Sequence, residues 1–67
     1  MRADESLVTV YLSVEEIDVM AVALARSVLP DSKASNAVEA SRDVWSVKES
    51  AGPVLCSLAT MLAEARA

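Results

Sequence analysis

Backbone punctuation is what most constrains this chain. Its 67 residues contain one glycine and two prolines, and these sit at Pro30 and at the Gly52-Pro53 pair. Segments between such breaks are free to be helical, and their apolar spacing agrees. Ile17, Met20, Ala21, Leu24 and Val28 form an i, i+3, i+4, i+7, i+11 stripe, the period of an amphipathic helix. Ser13 precedes that stripe with Glu16 three residues on, a capping-box pattern, and Glu15 and Asp18 add negative charge to the first turn. Pro30 restricts the residue before it to extended conformations. A first helix is therefore expected over about residues 14–28. Val19, Val22, Ala23 and Ala25 cover much of its remaining circumference, so it reads as packed on more than one side.

The polar stretch from Pro30 to Asn36 reads as a loop, with Ser35 or Asn36 as the next helix cap. A second helix is expected over about 36–49, with Ala37, Ala40, Val44, Val47 and Ala51 on one line and Val38 and Trp45 beside it. Gly52 suits a helix junction and Pro53 the first turn of a new helix. A third helix is expected over about 53–66, with Val54, Leu55, Leu58, Met61, Leu62 and Ala65 read as one apolar face. No linker, repeat or low-complexity tract divides these pieces, and residues 1–67 are read as one domain.

Ahead of the first helix, Leu7-Val8-Thr9-Val10-Tyr11-Leu12 carries the β-branched and aromatic residues of a strand. Val8, Val10 and Leu12 fall on one face and Leu7, Thr9 and Tyr11 on the other. A lone strand leaves its backbone amides and carbonyls unpaired. Pairing with the same strand of a second copy resolves this. Size argues the same way, because a single core in so short a chain rarely supplies more than about 3–5 kcal/mol. Cys56, the one cysteine, has no disulfide partner in its own chain, and with no histidine present a Cys/His zinc site lacks ligands. The expected fold class is thus mainly α with one N-terminal strand, β-α-α-α, paired across a homodimer. Val8, Val10, Leu12, Ile17, Met20 and Leu24 are the expected dimer interface.

The segments VTVYLSVEEIDVMAVAL and SNAVEASRDVW, within about residues 8–46, resemble the ribbon-helix-helix family of dimeric DNA-binding proteins. The resemblance implies paired strands entering a major groove and a second helix whose start approaches phosphate. By position it places Leu7, Thr9 and Tyr11 at the groove and Lys33, Ser35 and Asn36 at the backbone. The helix beginning at Pro53 is an addition to that core.

Charge shifts the functional expectation. Ten carboxylates stand against six Lys and Arg, a formal net charge of −4, so the overall field repels phosphate. The basic residues are scattered, and two of the three outward strand positions are Leu and Tyr. The leading expectation is therefore a small non-enzymatic homodimeric interaction or regulatory module that binds another protein. A ribbon-helix-helix regulator binding DNA is the alternative. Leu7, Thr9, Tyr11, Lys33, Ser35, Asn36 and Trp45 form the candidate partner or DNA face, although Trp45 also reads as core in a helix with little other bulk.

Catalysis has little to build on. Glu15, Glu16 and Asp18 are explained by their place in a first helical turn. Cys56 has apolar neighbours and no histidine to activate it, and one glycine makes no phosphate loop. No cofactor, metal or small-molecule substrate is expected. Arg2 is followed by Asp4 and Glu5 and not by an apolar run, and the longest uncharged apolar run, Val19 to Ala25, falls far short of the ~20 residues that span a bilayer. The expected setting is cytoplasmic.

Overall fold

The computed structural model describes residues 11–66, and among them the architecture is three packed helices: α1, Val14–Val28; α2, Ala37–Ser46; and α3, Lys48–Arg66. The expected β-α-α-α class is corrected to all-helical. No strand occurs among the described residues, and Tyr11 and Leu12, the last two positions of the expected strand, are irregular backbone leading into α1. β-propensity reflects packing on a pleated surface, and none of the described residues supplies one there. Leu7, Val8, Thr9 and Val10 lie outside the described residues. The β-α-α-α fold class with a paired N-terminal strand is not carried further.

Helix α1 begins where cap chemistry directs. The Ser13 side chain accepts from the Glu16 N–H at 3.1 Å, and the Glu16 carboxylate accepts from the Ser13 N–H at 2.8 Å. Leu29 closes the helix, its N–H donating to the Ala25 carbonyl, immediately before Pro30. In α2 the Asn36 side chain accepts from the Glu39 N–H at 3.0 Å.

Helix α2 ends at Ser46, three residues short of the expected 36–49 span. Val47, at φ −119° and ψ 36°, breaks it without any glycine or proline. Residues 48–51 form a single turn that closes back on the Val47 carbonyl. Gly52 then sits at φ 87°, ψ 165° inside α3, a region that only glycine occupies readily. Pro53 follows as the first residue of the long straight part of α3, where its missing N–H costs no hydrogen bond.

The core is built from small side chains. Ile17, Ala21 and Ala25 of α1, Ala34 of the loop, Ala37, Ala40 and Val44 of α2, and Cys56 and Ala59 of α3 are buried together. Val22, Leu24, Val28, Ala51 and Leu62 pack around them. Alanine at so many facing positions lets helix backbones approach closely, and the gain is close packing more than apolar area. Val44 and Cys56 are the largest fully buried side chains among the described residues.

Candidate functional site

The α3 helix presents apolar side chains on two sides, and only one of them is used inside the fold. Cys56 and Ala59 are buried, Leu62 packs against the core, and Leu55 is half-buried. Rotating about the helix at 100° per residue, Val54, Leu58, Met61 and Ala65 fall on a separate stripe well away from that face. Val54 is 77% exposed, Leu58 41% and Met61 63%. With Pro53 and Ser57, Val54, Leu58 and Met61 line a shallow open hollow. The single apolar face expected for this helix is thus two faces, split between core and solvent. Fully burying a Val, Leu or Met side chain contributes about 1.5–3 kcal/mol, and most of that is unrealised at Val54 and Met61.

The spacing of the outer stripe is also informative. Positions 54, 58, 61 and 65 step by four, three and four, the a/d rhythm of a helix that packs along another helix. No charged residue occurs from Ser50 to Ala63, so the stripe is neutral from Val54 to Met61, with Glu64 beside its C-terminal end.

Polar side chains elsewhere hold the helices to one another. The Asp18 carboxylate accepts from the Ala37 N–H, the first residue of α2, at 2.8 Å. It also takes both Nε and Nη2 of Arg66, at 2.9 and 3.2 Å. The start of α1, the start of α2 and the end of α3 therefore meet at one side chain. The Ala37 N–H and then the Arg66 guanidinium hold the Asp18 carboxyl below its ordinary value of 3.8, against an opposing contribution from partial burial. Glu39 is lowered from 4.5 chiefly by the backbone N–H and hydroxyl of Ser35, both at 2.9 Å. The hydroxyl of buried Ser32 donates to Asp43 and accepts from the Ala34 N–H, pinning the interhelical loop to α2. Trp45 Nε1 donates to Thr60 Oγ1 at 2.8 Å, tying α2 to α3.

The residues singled out from sequence are not gathered in one place. Ile17 is buried and Leu24 packs against the core of its own chain, whereas Met20 is exposed. Leu12 and Tyr11 are exposed ahead of α1, Tyr11 at 90%. Ser35 and Asn36 are engaged in capping α2, and Lys33 is exposed on the loop beside them. Trp45 is 47% exposed, with its indole N–H on Thr60. Leu7, Val8, Thr9 and Val10 lie outside the described residues.

Asp18, Arg66, Ser32 and Asp43 were not singled out as a structural set. Their partners are distant in sequence, and no local pattern announces them. The outer stripe at 54, 58 and 61 repeats the four-three spacing of 55, 59 and 62 one residue earlier, so periodicity alone does not tell the two apart.

Among the described residues no group of three or more Cys, Asp or Glu side chains converges as a metal site, and no helix is long and apolar enough to cross a membrane. Compared with known proteins, the chain finds no matching family model, no matching curated protein and no matching solved structure.

Proposed function

We propose that this protein is a small non-enzymatic interaction module, and that its working surface is the outer stripe of α3. The observation that supports this is the exposure of Val54, Leu58 and Met61 on a neutral a/d stripe while the opposite side of the same helix packs the domain. Stripes of this kind are filled by helices. The conspicuous polar side chains have structural work: Asp18, Glu39, Ser32 and Trp45 cap helices or tie them together. Cys56 is buried and behaves as a small hydrophobe. A cytoplasmic setting, where such a lone thiol stays reduced, is part of the same reading.

The test is a triple substitution, Val54→Ser with Leu58→Glu and Met61→Ser. Because these positions lie outside the core, helical content and the urea midpoint measured at high dilution should hold. Helix-mediated association of the chain, with itself or with a protein captured from nuclease-treated lysate, should be lost. Association that survives the substitutions, or capture that disappears on nuclease treatment of the wild type, overturns the reading.

A further inference from the structure

We infer that the helix filling the α3 stripe is α3 of a second copy, packed antiparallel about a two-fold axis that passes between Leu58 and Met61. This rests on the stripe being the working surface, as proposed above, and names its occupant.

Three features favour a second copy. The first is charge. The molecule carries −4 overall, and most surfaces of two copies repel when they meet. The stripe is different, because Ser50 to Ala63 holds no charged residue. Two such faces can be brought together with no carboxylate from either copy at the centre of the contact, and Glu64 only at its ends.

The second is self-complementarity. A two-fold contact requires the same patch on both sides. In the antiparallel register that opposes Val54 to Ala65, Leu58 of one copy opposes Met61 of the other, and Met61 opposes Leu58. Each larger side chain then meets a larger one at the centre, and the shorter Val54 and Ala65 meet at the ends. The a/d spacing suits a shallow crossing near 20°.

The third is orientation. Glu64 flanks the stripe at its C-terminal end. A parallel pair sets Glu64 beside Glu64 and brings the negative ends of both helix dipoles together. In the antiparallel pair Glu64 lies level with Leu55 of the other copy. Two such carboxylates are then separated by about nine residues, or ~13 Å along the axis at 1.5 Å per residue. That exceeds the ~8 Å screening length at physiological ionic strength.

Area sets the strength. A contact about 12 residues long is roughly 18 Å of helix. This is at or below the low end of specific interfaces, under about 1,200 Å² in total, where complexes are weak and transient. The expected dimer therefore has a Kd on the order of tens of micromolar, exchanging with monomer at working concentrations.

Sedimentation velocity of the full chain between about 5 and 500 μM, a range that brackets such a Kd, tests the inference. The wild type should shift from monomer toward dimer across the series. Leu58→Glu, which inserts one carboxylate per copy at the centre of the contact, should weaken dimerisation at least about tenfold with an unchanged circular dichroism spectrum. Met61→Glu gives a second, independent disruption should the first variant lose helix. Orientation is read by mixing Val54→Cys with Ala65→Cys chains and applying a short bis-maleimide. The mixed 54–65 product should dominate over either homodimeric product.

A chain that stays monomeric at every concentration overturns the second-copy assignment. If it is monomeric and the stripe variants nonetheless lose a captured protein, the stripe remains the working surface with another helix as its occupant. Dimers indifferent to both Glu substitutions, or homodimeric cross-links in place of the mixed one, also overturn it.

Discussion

The carboxylate of Asp18 joins the starts of α1 and α2 to the end of α3, and its protonation should be felt across the whole domain. Its folded pKa lies below the ordinary 3.8, and that of Glu39 below 4.5. In the unfolded chain both revert to ordinary carboxylate values, so the unfolded state takes up protons first as pH falls. The stabilisation is fully present above about pH 5 and is lost progressively as pH drops through the ordinary values toward the lower folded ones. Urea midpoints measured from about pH 6 down to pH 2, across that titration range, should therefore fall below about pH 4.5. Asp18→Asn keeps an acceptor for the Ala37 N–H but loses the ion pair with Arg66. The variant should be less stable than wild type near neutrality, and the gap should narrow as the medium is acidified. A gap that stays constant with pH would assign Asp18 a packing role in place of an ionic one.

At the level of elements, Gly52 is the point where conformation outweighs contact. It holds φ 87° inside α3, and a Cβ placed there meets nothing within 4 Å. Gly52→Ala should therefore destabilise through backbone strain alone, by about 1–3 kcal/mol, read as a lowered urea midpoint. A midpoint equal to wild type would show that the 48–51 turn and the long helix tolerate another junction. This break was legible in the sequence because Gly-Pro chemistry is local, and so was α1, where Ser13, Glu16 and Pro30 fix both ends within a few residues. The end of α2 at Ser46 was not. Val47 carries no local stop signal, and the break is made where the chain turns to lay α3 against α2. Asp18 was placed in the first turn of its own helix from sequence, yet its partners stand 19 and 48 residues away. The α3 stripe shows the same limit differently. Both sides of that helix are apolar, so periodicity finds the helix but cannot choose which side turns inward. On the inward side Cys56 and Ala59 are fully buried, small enough for α3 to lie close to α2. Of the strand expected over 7–12, Tyr11 and Leu12 are irregular backbone, because the described residues provide no pleated surface to pack them.

For the molecule as a whole, an alanine-rich core and an unfilled apolar stripe are linked. Small side chains give close helix packing but little buried apolar area, and a domain of this length has little stability to spare. The side chains able to add area, Val54, Leu58 and Met61, point outward. If α3 pairs with α3 of another copy, stability becomes a function of concentration, because association draws only on the folded state. At about ten times the dimer Kd the folded state gains on the order of 1 kcal/mol, which in a domain this small corresponds to several degrees of Tm. Thermal unfolding followed by circular dichroism should show Tm rising with protein concentration for the wild type. For Leu58→Glu it should stay level, and the two chains should converge at the lowest concentration, where both are monomers. Convergence is the informative point, because a Leu58→Glu chain that remained less stable at high dilution would place Leu58 in the domain's own packing. A wild-type Tm independent of concentration would mean that the three helices reach their full stability alone.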